Sequence, residues 1–97
     1  MILEVAILKV RPELVATFVP TFKQASAIIS SMKGYIKHEL QRCLEQEGQY
    51  ILLVWWETLE DHEIGFRQSE QYQQWRKLLH HYYDPFPVVE HYERIEL

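Results

Sequence analysis

The sequence predicts an α+β fold, a ferredoxin-like sandwich of order βαββαβ with the second helix broken in two. Three observations predict it. The hydrophobic spacing alternates along the chain between strand-like runs and helical stripes. A short polar connection containing Gly48 joins two of the strand-like runs as a hairpin would. The chain has 97 residues, enough for one domain and no second.

Residues 2–10 are too short and too β-branched for a helix and read as a strand apolar on both faces. Arg11-Pro12 stops it, and Pro12 suits the first turn of a helix because its missing N–H has no intrahelical partner there. From Pro12 to Met32, Leu14, Phe18, Phe22, Ala25, Ile29 and Met32 form one amphipathic stripe. Pro20 lies inside it, predicting either a kink or two shorter helices. Gly34 is the stop.

Residues 35–44 and 49–57 read as the hairpin strands. Alternation places Ile36, His38, Leu40 and Leu44 on one face of the first and Tyr35, Lys37, Glu39 and Gln41 on the other. The second is apolar on both faces. Thr58 is an N-cap with acidic residues behind it, and Leu59, His62 and Phe66 share a side. Ser69 is a second N-cap, followed by a stripe of Tyr72, Trp75, Leu79 and Tyr82, so two short helices with a bend near Gln68-Ser69 are expected. Asp84-Pro85-Phe86-Pro87 cannot be helical, and residues 88–96 are expected to close the sheet.

Composition narrows the function. Hydrophobic residues make up 47% and charged residues 25%, which is globular rather than disordered usage. Ten basic against 14 acidic residues give −4, and the basic residues are scattered, so neither a nucleic-acid footprint nor binding to an anionic membrane is expected. Cys43 is the only cysteine, which excludes an internal disulfide and a zinc finger. The first apolar stretch holds Glu4 and has no basic region before it, unlike a signal peptide, and no apolar run reaches the ~18–20 residues of a membrane span. A cytoplasmic location is expected.

Helices can cover one face of a four-stranded sheet, yet strands one and three are apolar on both. Ile51, Leu53 and Trp55 point opposite to Leu52, Val54 and Trp56, so one set needs another cover. A second copy packed sheet to sheet is the simplest closed solution, and a homodimer is expected.

The opening strand, Met32-Lys33-Gly34-Tyr35, the hairpin from Glu39 to Tyr50, Trp56-Glu57-Thr58, the run Phe66 to Tyr72 and the closing Asp84 to Tyr92 together resemble the antibiotic biosynthesis monooxygenase (ABM) domain family, over residues 2–96. The resemblance implies a dimeric α/β barrel with an aromatic-lined pocket between sheet and helices. Some members of that family oxidise aromatic polyketides or quinols with O₂ and neither metal nor flavin; others bind and degrade haem; many have no known activity. The haem-degrading branch carries an Asn in strand one, a Trp before the Ser-containing bend and a His on the following helix. Here strand one has no Asn, the Trp position holds Phe66 and the His position holds Arg76, all departures from that branch.

The expected function is therefore cofactor-independent oxygenation of a small planar aromatic or quinol, with a non-catalytic small-ligand module as the alternative and haem binding third. No cofactor or metal is assigned. Oxygenation without a cofactor needs an electron-rich substrate anion, hence a base and charge stabilisation. The candidate catalytic groups are His38, which titrates in the right range or is simply a satisfied core histidine, and Tyr72, a buried body with a polar handle. Trp56, Phe66 and Arg76 are candidates for substrate binding, set against core roles for the two aromatics and a solvated role for the arginine. His80 and His81 are adjacent on a helix and diverge by about 100°, so they cannot chelate from one side.

Overall fold

A computed structural model describes residues 1–97. Strand β1 spans Ile2–Lys9, β2 Tyr35–Arg42, β3 Gln49–Trp56 and β4 Val89–Tyr92. They form one antiparallel sheet in the order β2-β3-β1-β4. Helix α1, Val15–Ser30, links β1 to β2 after a 3₁₀ turn at Pro12–Leu14. A helical segment starting at Leu59 and passing into a π-helix at Asp61–Phe66 precedes α2, Glu70–Leu79, and a 3₁₀ turn at His80–Tyr82. The chain thus has the ferredoxin-like βαββαβ order with its second helix divided.

Alternation in the central strands decides which face is which. Glu4, Ala6 and Leu8 of β1 and Tyr50, Leu52, Val54 and Trp56 of β3 are buried beneath the helices. Phe18, Phe22, Ala25 and Ile29 of α1 meet them from above, with Phe66, Trp75 and Leu79 from the second helical region. The opposite face carries Leu3, Val5, Ile51, Leu53 and Trp55 half-buried and Ile7 at 43% exposure. The divided helix follows its caps: the Thr58 hydroxyl accepts from Asp61 N–H at 3.1 Å, and the Ser69 hydroxyl accepts from Tyr72 N–H at 3.1 Å.

Four expectations are corrected. The two shorter helices allowed for at Pro20 are not formed: Pro20 lies at an exposed position within a single continuous α1. In β2 a bulge between Tyr35 and Lys37 lets Tyr35 oppose Trp56 while Lys37 opposes Trp55. One extra residue moves Tyr35 to the helix side with His38 and leaves Ile36 exposed. Strand β2 ends at Arg42, and Leu44 is in the hairpin connection at 91% exposure. Strand β4 stops at Tyr92 because Tyr92 already opposes Leu3, and β1 offers almost nothing further to pair with.

Candidate active site

A cavity of about 310 Å³ opens between the sheet and the second helical region. Its floor is Glu4, Ala6 and Leu8 of β1 with Leu52 of β3. Phe66, Tyr72 and Trp75 wall it from the helices, with Tyr72 and Trp75 both edge-on to Phe66 at 5.2 and 5.7 Å. His80 and Phe86 close one side in edge contact at 4.8 Å, and Arg67 stands at the mouth.

The floor of an aromatic cavity is an unusual place for a carboxyl group. Glu4 is 5% exposed. Period two along β1 forces it there, in line with Ala6 and Leu8. Its Oε1 accepts from the Trp56 indole N–H at 2.9 Å and lies 3.3 Å from His62 Nε2. Glu4 Oε2 has no partner in the chain, yet no buried side-chain polar atom is left unsatisfied, so Oε2 is reachable by solvent. Since Glu4 lines the cavity, Oε2 opens into it. Burial pushes the Glu4 carboxyl up to about 7, against the lowering influence of the Trp56 bond and the Arg67 charge. The group therefore exchanges a proton near neutrality.

His62 is 3% exposed and stacks on the Trp56 ring, centroids 5.3 Å apart. Burial pushes its pKa down to about 3, helped by the charges of Arg67 and His91, so the ring is neutral. Its Nδ1 meets His91 Nε2 of β4 at 2.7 Å, and His91 Nδ1 lies 3.8 Å from Glu63 Oε1. The π-helix brings His62 and Phe66 to the sheet side together.

The residues singled out from sequence separate. Phe66 and Tyr72 line the cavity. Trp56 is fully buried behind the floor, where its N–H holds Glu4 instead of facing the cavity. His38 lies in a different hollow near α1, between Tyr35, whose hydroxyl meets Nδ1, and Ser26, whose hydroxyl meets Nε2 at 2.9 Å. Burial lowers its pKa. Arg76 is exposed on α2 and does not line the cavity; the arginine at its mouth is Arg67. No group of three or more His, Cys, Asp or Glu side chains is placed to hold a metal ion. Glu4, His62, Arg67 and His91 are not among the candidates expected from the sequence, in which His62 and His91 have no partner pattern. The available signal was Glu4, an acid at a core-facing position of a strand, with His62 at a core-facing position of a helix.

The antibiotic biosynthesis monooxygenase family model matches residues 1–78. The chain belongs to that family. The uncharacterized protein YczJ of Bacillus subtilis (strain 168) is 52% identical over 95 residues, covering 98% of this chain and all of its own. A candidate antibiotic biosynthesis monooxygenase from Bordetella bronchiseptica has a crystal structure that superposes with a TM-score of 0.92 at 34% identity, covering 98% of this chain and 97% of that one. SnoaB, a cofactor-independent oxygenase from Streptomyces nogalater, shares the fold at a TM-score of 0.77 and 15% identity, over 99% of this chain and 94% of its own. Family membership fixes the architecture around the cavity; the chemistry rests on the side chains inside it. No helix is long and apolar enough to cross a membrane.

Proposed function

We propose that this member of the family oxygenates a small planar, electron-rich aromatic or quinol with O₂ and without a cofactor, as a homodimer. The observation that carries this is Glu4: a buried carboxyl poised near 7, with one oxygen open to an aromatic-walled cavity. Phe66, Tyr72 and Trp75 offer faces and edges to a flat ring. Arg67 at the mouth is the positive charge nearest to the anion that forms.

For a substrate whose CH₂ is activated by flanking rings, Glu4 Oε2 takes a C–H proton. The resulting carbanion passes one electron to O₂, and the radical pair closes a C–O bond. Glu4 returns its proton to the peroxide. Loss of the second C–H proton then breaks the O–O bond, and hydroxide leaves with that proton as water. The sum is CH₂ + O₂ → C=O + H₂O.

The test is oxygen uptake with a panel of hydroquinones and anthrones. Acceleration over buffer is expected, and Glu4→Gln is expected to lower kcat by about 10²–10⁴-fold, the usual worth of a positioned base. No acceleration across the panel overturns the proposal. A ligand that raises Tm without forming product favours a binding module instead. Because His80 stands on the cavity wall, haem titration is the third arm. A Soret band lost in His80→Ala replaces oxygenation with haem binding.

A further inference from the structure

Four ionisable groups run in line from the cavity floor to the surface. They are Glu4 on β1, His62 on the π-helix, His91 on β4 and Glu63, again on the π-helix. Glu4 Oε1 to His62 Nε2 is 3.3 Å, His62 Nδ1 to His91 Nε2 is 2.7 Å, and His91 Nδ1 to Glu63 Oε1 is 3.8 Å. Each imidazole is entered through one nitrogen and left through the other, which is the connection a proton path needs. Burial falls from His62 outward: the His62 side chain is 3% exposed, His91 16% and Glu63 47%, with Glu4 at 7% on the cavity side.

We propose that Glu4, His62, His91 and Glu63 form a proton relay that keeps the cavity carboxyl in exchange with solvent when a ligand fills the cavity. In the discharge step the Glu4 Oε1–H bond breaks and His62 Nε2–H forms. His62 Nδ1–H breaks and His91 Nε2–H forms. His91 Nδ1–H breaks, and that proton goes to Glu63 or to water beside it. One proton leaves Glu4, one arrives at the surface, and both rings end neutral with their tautomers exchanged. The reverse sequence recharges Glu4.

Burial supports this, since it holds His62 and His91 below their ordinary range and thus neutral at pH 7. The Arg67 charge faces Glu4, His62 and His91 and acts on them in the same direction; Glu63 opposes it at His91, and the Trp56 N–H on β3 steadies the Glu4 anion. A carboxyl that binds its proton near neutrality is protonated in part of the population when substrate arrives. With the cavity occupied, the route through His62 is the one left for that proton to leave.

Used for the base of the proposed oxygenase, the relay rests on that reading; as a path of close contacts, hydrogen-bonded between His62 and His91, it is tested without turnover. In ¹⁵N-imidazole NMR spectra across pH 5–9, His62 is expected to pass from the Nδ1–H tautomer, accepting from the Glu4 carboxyl, to Nε2–H, donating to the carboxylate. Its midpoint should match that of the ¹³C signal of the Glu4 carboxyl, and Glu4→Gln should abolish the switch. A single His62 tautomer throughout, or conversion to imidazolium within this range, overturns the relay. His91→Gln keeps a polar side chain but cannot pass a proton. If turnover is found, the ratio of kcat at pH 9 to kcat at pH 6 is expected to rise about tenfold in this variant with KM unchanged; an unaltered ratio also overturns the relay. A tautomer switch without turnover on any substrate leaves the relay standing and removes the oxygenase. Turnover without the switch does the opposite.

Discussion

Glu4 and His62 share a proton in a way that shapes stability. In the unfolded chain their ordinary values are 4.5 and 6.5; in the fold they become about 7 and about 3. Taken alone, the raised Glu4 contributes stability that is present below 4.5 and lost as pH rises to about 7. The lowered His62 contributes stability that is present above 6.5 and lost as pH falls towards 3. Between 4.5 and 6.5 the pair holds one proton in each state, on His62 when unfolded and on Glu4 when folded, so its slopes cancel. Glu4→Gln removes the compensation. The variant is expected to lose about 2–3 kcal/mol more than the parent between pH 6.5 and 4.5, at ~1.4 kcal/mol per unit. Urea denaturation at pH 6.5, 5.5 and 4.5 measures it, and parallel pH profiles would refute it. None of this was legible from the residues alone. His62 and His91 are 29 positions apart, and only the packing of the π-helix over β4 joins them.

Among elements, the long regular ones were readable because their spacing is enforced by burial. The α1 stripe and both faces of β3 came out as expected. The β2 bulge was not, since strict alternation is the default and a one-residue slip reverses faces. That slip is why Tyr35 and His38 meet. Two glycines flanking the site make opposite demands. Gly34 has φ +83°, and a Cβ there would run into the Asp61 side chain, which also accepts from the Thr58 hydroxyl. Gly65, inside the π-helix, has no positive φ and meets only Glu60 O at 3.8 Å. Gly34→Ala is expected to cost at least about 1–2 kcal/mol from the left-handed backbone alone. Gly65→Ala is expected to add about 0.4–1 kcal/mol by restricting the unfolded chain. Thermal unfolding of the two variants should shift Tm in opposite directions; an unchanged or raised Tm in Gly34→Ala would show that the helix entry does not depend on Gly34, and a lowered Tm in Gly65→Ala would refute the second expectation.

At the scale of the whole molecule the helices cover one face of the sheet and leave the other. Leu3, Val5, Ile7, Ile51, Leu53 and Trp55 lie on that second face, with Lys9, Lys37, Glu39 and Glu90 around them, and Lys37 folds its ammonium over the Trp55 ring at 4.3 Å rather than standing clear of it. Both faces of β1 and β3 were legible as apolar; which set lay outside was settled only by the packing that buries Trp56 under the helices, with its N–H on Glu4. A second copy seated on this face is the occupant proposed. The face is contiguous, it belongs to the two central strands, and a two-fold axis lets each Leu53 and Trp55 meet its own equivalent. Each large apolar side chain taken fully from water contributes about 1.5–3 kcal/mol. Even a fraction of that over six residues rivals the ~5–15 kcal/mol that holds a domain folded. Folding and association should therefore be coupled, and Tm should rise with protein concentration. Leu53→Lys, which places a charge at the centre of the face without touching the cavity, is expected to give aggregated or unfolded protein, or a monomer of much lower Tm. Light scattering of the parent protein at micromolar concentration decides it. A well-folded soluble monomer there, with a Tm independent of concentration, would mean that the sheet tolerates this face in water.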